Sequence, residues 1–398
     1  MAETLSIPVA PSMRAQSSAR VASGSLSIPC YIWCCMLAVL SSSVGSAWDI
    51  SWHESIGRDS FWTPAHMLIY LCGVLSGISC GYVILSTSFA KASKLRGHAI
   101  SMWGFAGPIG AFICAWGGVA MITSAPFDNW WHNGYGLDVK ILSPPHVLLA
   151  LGMTAIRFGT LVMILAEMNR AEGEYRARLE RLLFCAFVFL MAVTVGMAQE
   201  YTNRVFMHGA QFYLVVALVA PVWIAAVSRA VQRRWSATIV TALYTALHLL
   251  FTWLLPLSPA EPKLGPVYQH ITHLVPPDFP LLLIVPAIVF DLLRLRTGGW
   301  GKWEQAALLG AAFLASFSAV QWPFADFLMS LAARNRIFAA NNYPYFVPDR
   351  SAWVRNVFVH TEHSFTGFWA TMGVAPAAGV LMTRLGLGWG DWMRRIRR

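Results

Sequence analysis

Two stretches of this sequence set carboxylates and imidazoles at the same unusual intervals. The first runs from Trp48-Asp49-Ile50-Ser51-Trp52-His53 to Pro64-Ala65-His66, the second from Phe127-Asp128-Asn129-Trp130-Trp131-His132 to Pro144-Pro145-His146. In each, an Asp precedes a His by four residues, and a second His follows thirteen or fourteen later, two past a proline. A glycine (Gly57, Gly136) lies four past the first His and another Asp (Asp59, Asp138) six past it. A spacing of four puts Asp49 with His53, and Asp128 with His132, one turn apart on one helix face. A proline suits the first turn of a helix, where its missing N–H is not needed. His66 and His146 therefore project from the first turns of the following helices. Adjacent helix ends thus bring one carboxylate and two imidazoles to a point, twice. That donor set suits copper, zinc or non-haem iron and leaves positions open for water, oxygen or substrate. Spacing alone does not choose among these metals. Asp59 and Asp138 are expected as outer partners holding an imidazole N–H, or as helix caps, rather than as ligands.

Other chemistry is sparser. His270-x-x-His273 and His360-Thr361-Glu362-His363 have short, metal-like spacings. Glu200, at the outer end of an apolar run, is either a proton carrier or, the favoured reading, a capped surface residue. His248 lies within an apolar run and is expected to bond across helices. The seven cysteines all lie in apolar runs without CxxC spacing and read as buried packing residues, with Cys30 and Cys34 sharing a helix face.

The elements that position these groups follow from composition. The chain has 398 residues, 57% hydrophobic and 12% charged. A soluble domain carries about 25% charged residues. Apolar runs of about 20 residues or more recur along the chain, the length a helix needs to cross a bilayer. Backbone polar groups in lipid must be satisfied internally, so an all-α, polytopic transmembrane helical bundle is predicted. About ten spans are expected, at 28–47, 64–89, 98–123, 144–167, 180–199, 208–229, 236–257, 277–296, 304–329 and 363–386. Residues 1–27, Ser/Ala-rich and polar, read as a disordered cytoplasmic tail and not as a cleaved signal.

The net charge of +10 does not point to nucleic acid, because Lys and Arg cluster in alternate connections. Those after the second, fourth, sixth and eighth spans, and the tail Arg394-Arg395-Ile396-Arg397-Arg398, are basic. The positive-inside rule then places both termini in the cytoplasm. Of the eleven histidines, nine fall in or beside the opposite connections, leaving only His98 and His248 elsewhere. Equally polar cytoplasmic connections hold almost none, so the histidines mark a chemical layer near the outer face.

The stretch Asp49-x-x-Trp52-His53, Ile56-Gly57-Arg58-Asp59 and Thr63-Pro64-x-His66 resembles the metal-binding segment of the C subunit of the copper membrane monooxygenases, the particulate methane and ammonia monooxygenases. That subunit is similar in a second respect, since it carries Asn/His/His at the spacing of Asp128, His132 and His146. Asp128 is the departure, and a carboxylate there would hold a cation more strongly. The C-terminal half resembles, more loosely, the A subunit, through Pro286-x-x-x-x-Asp291, Gln321-Trp322-Pro323, residues 328–332 and Tyr343-Pro344-Tyr345. The resemblance divides the chain into the tail, a C-like membrane domain at 28–178 and an A-like membrane domain at 179–398. Nothing resembles the B subunit with its soluble copper-binding domains.

The resemblance implies a copper-dependent enzyme of a bacterial-type inner membrane, with its metal sites toward the periplasmic side. It would hydroxylate a small apolar or ammonia-like substrate with O₂. Its electrons would come from a quinol or other donor, with a separate cupredoxin-like subunit and an oligomer as further implied partners. The rival expectations are a metal transporter and a metal-binding membrane subunit without turnover. A transporter should carry ionisable residues through the middle of several spans, and here these positions are mostly apolar, with Arg157 and His248 the main exceptions.

Overall fold

A computed structural model describes residues 27–90, 93, 95–136, 143–263, 271–339 and 364–398, apart from the side chain of Glu200. The architecture is all-α. The helices are α1 (Cys30–Ser55), α2 (Pro64–Phe89), α3 (Ile109–Tyr135), α4 (Pro144–Met168), α5 (Gly173–Met197), the single turn α6 (Gln199–Thr202), α7 (Ala210–Ala230), α8 (Ser236–Leu254), α9 (Ile284–Arg296), α10 (Lys302–Leu328) and α11 (Phe365–Met393). Among the described residues, nine of these helices are long and apolar enough to cross a bilayer.

Two of the ten expected spans differ. Residues 98–107 do not start a helix. They form a hairpin of β1 (Ile100–Met102) and β2 (Phe105–Gly107), paired antiparallel. Its turn residues Trp103 and Gly104 have φ of 50° and 83°, the double left-handed conformation that matches strand twist in a two-residue turn. The helix begins after Pro108 and runs on through Pro126 to Tyr135, so Asp128 and His132 belong to α3 itself.

The eighth expected span, 277–296, is a helix of only 13 residues. Pro276, Pro277 and Pro280 remove backbone donors and keep the preceding chain out of helix. Irregular backbone in a membrane protein survives only where protein satisfies it. Here the Leu282 N–H donates to Gln321 Oε1 (3.0 Å), and His248 Nε2 donates to the Asp278 carbonyl (2.8 Å). His248 therefore bonds across elements, as expected from its place in α8.

The bundle has two chemically distinct ends. At one, Arg229 of α7 and Lys302 of α10 both meet Asp391 of α11 at 2.7 Å, and Arg233 meets Glu180 of α5 at 2.8 Å. Asn169, just past α4, donates to the carbonyls of Met393 and Ile396, both at 2.8 Å. The start of α1 lies at this end too, with Tyr31 beside Glu167 and Arg170. At the other end lie the last turns of α1 and α3 and the first turns of α2 and α4, which carry the paired Asp and His residues. One continuous apolar core, from Ile32 to Ile396, joins the N-terminal and C-terminal halves. The segment before α9 also braces α1, because Ser51 Oγ donates to the Val275 carbonyl (2.6 Å) and the Val275 N–H donates to Ser55 Oγ (2.7 Å).

Helices α3 and α4 approach most closely at glycines. A Cβ on Gly117 would lie 2.7 Å from the Gly152 carbonyl oxygen, and one on Gly152 would lie 2.9 Å from that of Gly117. Small residues of this kind let backbones meet where lipid gives no hydrophobic drive. The contact sets the separation of Asp128 and His132 from His146. Gly117→Ala gains about 1 kcal/mol of helix propensity but overpacks an obstacle that is largely backbone, costing about 1–3 kcal/mol. The expected result is a lower thermal unfolding midpoint in detergent and reduced metal retention at His132 and His146. An unchanged midpoint would contradict the close approach.

Candidate metal centre

The repeated sequence pattern is a repeated helix–break–helix device. Each glycine four past the first His adopts positive φ, 81° at Gly57 and 90° at Gly136. Gly57 N–H bonds to the Trp52 carbonyl and Gly136 N–H to that of His132, closing the ends of α1 and α3. Glycine takes this conformation without the penalty a Cβ would impose. Each helix therefore stops one turn after its His. Pro64 then opens α2, and Pro144 and Pro145 open α4, where Ser143 Oγ accepts from the His146 N–H. The device returns the chain within a few residues and points the second imidazole at the first.

In the first group, Asp49 Oδ1 lies 3.0 Å from His66 Nε2 and Asp49 Oδ2 lies 3.9 Å from His53 Nε2. Asp59, expected behind the imidazoles, instead faces the same ring nitrogens. Its Oδ2 is 3.3 Å from His66 Nε2 and 3.4 Å from His53 Nε2. The partner behind His66 is a carbonyl, that of Ser60, 2.9 Å from Nδ1. A carbonyl only accepts, so Nδ1 carries a proton and Nε2 of the neutral ring presents its lone pair to the carboxylates. The hydrogen bond from His53 holds the Asp59 carboxyl below the ordinary carboxylate range, with the nearby His66 and His132 acting in the same direction. Trp52 Nε1 donates to the Arg58 carbonyl (2.9 Å) and pins the loop that carries Asp59.

In the second group one carboxylate serves both rings. Asp128 Oδ2 lies 3.4 Å from His132 Nε2, and Oδ1 lies 3.4 Å from His146 Nε2. Each group brings its three donor atoms within 4.8 Å of one another. Bonds of about 2.1 Å in a tetrahedron put donors about 3.4 Å apart, so the separations fit a first-row transition-metal ion. In the first group, four side chains ring the point.

The two groups face one cavity of about 60 Å³. It is lined by Asp49 and His66 of the first group and by Asp128 and His146 of the second, with Tyr70, Ile69 and Leu149 among its other walls. That volume holds several water-sized molecules. Neither the shared cavity nor Tyr70 was foreseen from spacing, because helix packing decides what lies between two motifs. Of the weaker candidates, His273 is described; its Nδ1 bonds Thr272 Oγ1 and it joins no metal-ligating group among the described residues. Asp138, His270, His360, His363 and the side chain of Glu200 lie outside the described residues.

A third group was missed altogether. Cys35 of α1, Cys80 of α2 and Cys114 of α3, read from the sequence as packing residues, bring their sulfurs within 4.8 Å of one another. No pair among them has motif spacing in the chain, so only the packing of three helices reveals them. Cys30 and Cys34 do share a face, with sulfurs 4.0 Å apart.

Comparison with protein-family models, with curated proteins and with solved structures finds no match to this chain. The site therefore rests on its own geometry.

If Asp59 supplies a donor, Asp59→Ala should weaken the first site by at least the 10–100-fold lost with outer-shell partners and spare the second. Titration of the metal-stripped protein against a competing chelator checks this. Equal affinity in the variant would remove Asp59 from the site altogether.

Proposed function

We propose that this chain is a membrane-bound, copper-dependent monooxygenase, or a subunit of one, that hydroxylates a small apolar or ammonia-like substrate with O₂. The single observation that carries the reading is that Asp49 and His66 of one Asp/His/His group and Asp128 and His146 of the other line one small cavity. Copper held there would supply the activation of O₂. The resemblance of the Asp49–His66 and Asp128–His146 segments to the C subunit of the copper membrane monooxygenases favours copper over zinc and iron.

The chain's own residues have definite tasks on this reading. The Ser60 carbonyl holds His66 in the tautomer that leaves Nε2 as donor. Asp128 sets the two rings of the second group about one carboxylate. Ile69 and Leu149 add apolar lining to the cavity, which suits a gas-like substrate that partitions into lipid. The Tyr70 ring lies 6.1 Å from that of His66, placing a phenol at the same cavity as a proton donor or acceptor. The basic end faces the cytoplasm by the positive-inside rule, so the cavity opens toward the periplasmic side of a bacterial-type inner membrane. Electrons come from a quinol or another donor, and a separate cupredoxin-like chain is the expected partner.

His53→Ala combined with His132→Ala should abolish both copper retention and substrate-dependent oxygen consumption, with partner chains supplied. Copper at wild-type stoichiometry in that protein would sink the assignment. Wild-type copper without oxygen consumption across substrates would favour a metal-binding subunit without turnover.

Metal transport is the second reading, and the buried cysteine group favours it. Cys35, Cys80 and Cys114 each stand fourteen residues along their helices from Asp49, His66 and Asp128. At 1.5 Å per residue they lie about 21 Å deeper, a second layer of donors on the same three helices. Copper flux into proteoliposomes, lost in the His53→Ala/His132→Ala protein, would decide for transport.

A further inference from the structure

The cysteine group is a metal site of a different kind from the Asp/His layer. All three side chains are fully buried. Cys35 Sγ and Cys80 Sγ lie 3.4 Å apart, well beyond bonding distance, and the three sulfurs fall within 4.8 Å of one another. Three sulfurs around one ion at about 2.3 Å lie about 4.0 Å apart when the arrangement is planar and trigonal. The observed group needs only small adjustments to reach that geometry. No imidazole or carboxylate joins it among the described residues. The nearest polar side chains are the hydroxyls of Ser79, 3.8 Å from Cys35 Sγ, and Thr160, 3.8 Å from Cys114 Sγ.

Donor chemistry then selects the ion. Soft thiolates favour Cu(I), Zn(II) and iron–sulfur clusters. A structural zinc is almost always four-coordinate, and here a fourth strong donor is lacking among the described residues. Three thiolates in a dry, apolar setting suit a soft monovalent ion that accepts three ligands. Charge fits as well. A cuprous ion held by three thiolates carries net negative charge, which a low-dielectric interior penalises unless positive charge is near. Arg157 of α4 is 3% exposed and donates through Nη2 to Ser43 Oγ (3.3 Å), while its Nε and Nη1 groups find no acceptor among the described residues. Its charge acts on Cys72, which in turn neighbours Cys35. The buried cation thus lies in the same apolar region as the thiolates.

We infer that Cys35, Cys80 and Cys114 form a buried, three-coordinate Cu(I) site, separate from the two Asp/His/His groups. Binding releases the thiol protons, including the one Cys114 donates to the Ile156 carbonyl, and changes no oxidation state. The inference does not depend on the monooxygenase reading and holds equally for a transporter.

The test uses the full-length His53→Ala/His132→Ala protein in detergent, reduced and stripped of metal. Cuprous ion is supplied anaerobically against a chromogenic cuprous chelator. About one Cu(I) per chain should remain bound, and X-ray absorption should give a shell of about three sulfurs with no nitrogen or oxygen. Adding Cys114→Ala, which keeps a small apolar side chain at the position, should remove that copper. A nitrogen or oxygen shell would overturn the site, as would copper undiminished in the cysteine variant. Uptake of zinc in preference to Cu(I) would overturn the choice of ion. The absorption measurement needs no cysteine variant, so a variant that fails to fold still leaves the inference open to refutation.

Discussion

The bonding of one imidazole decides how the Asp/His end of this bundle is arranged. His66 gives its Nδ1 proton to the Ser60 carbonyl, so in the neutral ring the lone pair on Nε2 looks at Asp49 Oδ1 from 3.0 Å and at Asp59 Oδ2 from 3.3 Å. Lone pairs at that distance repel, and the arrangement is stable only with positive charge at the point where they meet. A proton on Nε2 supplies it in the absence of metal, and a transition-metal ion supplies it with bonds to every donor. The same point therefore binds either protons or metal, and acidification competes with metal loading. Of the two rings, His53 is half exposed, at 48%, while His66, at 16%, is largely covered.

Much of what positions those donors is short-range helix chemistry. A glycine with positive φ ends α1 and α3 one turn past His53 and His132, and proline opens α2 and α4 two residues before His66 and His146. The prolines were legible as helix starts because a missing N–H acts locally, whereas the glycines stood out by spacing alone and their part in ending α1 and α3 shows only in their φ. The expected pairing of Asp49 with His53 and of Asp128 with His132 on single helix faces follows from the same locality. The role of Asp59 was not legible in the same way. Spacing put it near the imidazoles, but whether it met Nδ1 or Nε2 depended on the path of the 57–63 loop, which Trp52 and Ser60 set through backbone contacts.

The fold shows the same division. Long apolar runs announced their helices, with ends shifted by several residues. The two larger departures both arise where local geometry overrides hydropathy. Trp103-Gly104 turns an apolar stretch into a hairpin, and three prolines leave α9 at 13 residues. Hydropathy averages over a window and is blind to a missing N–H or a left-handed φ. The backbone left unpaired before α9 then draws polar side chains into the bundle, which is the structural reason Gln321 and His248 sit among apolar helices.

The cysteines mark the limit of reading by motif. Thiols at 35, 80 and 114 are separated by more than thirty residues each, and nothing local connects them. What connects them is register. Fourteen residues is close to four helical turns, falling about 40° short, so a side chain fourteen away lies on nearly the same face. Asp49, His66 and Asp128 line one cavity, and side-by-side packing of α1, α2 and α3 brings Cys35, Cys80 and Cys114 together about four turns along the same helices. The hard-donor layer and the soft-donor layer are therefore one geometric consequence of the same three helices. Oxygen and nitrogen donors lie where water reaches, and sulfur donors lie where it does not. Thiolates suit softer metal ions than carboxylates and imidazoles do, so the two layers differ in the kind of ion they would hold.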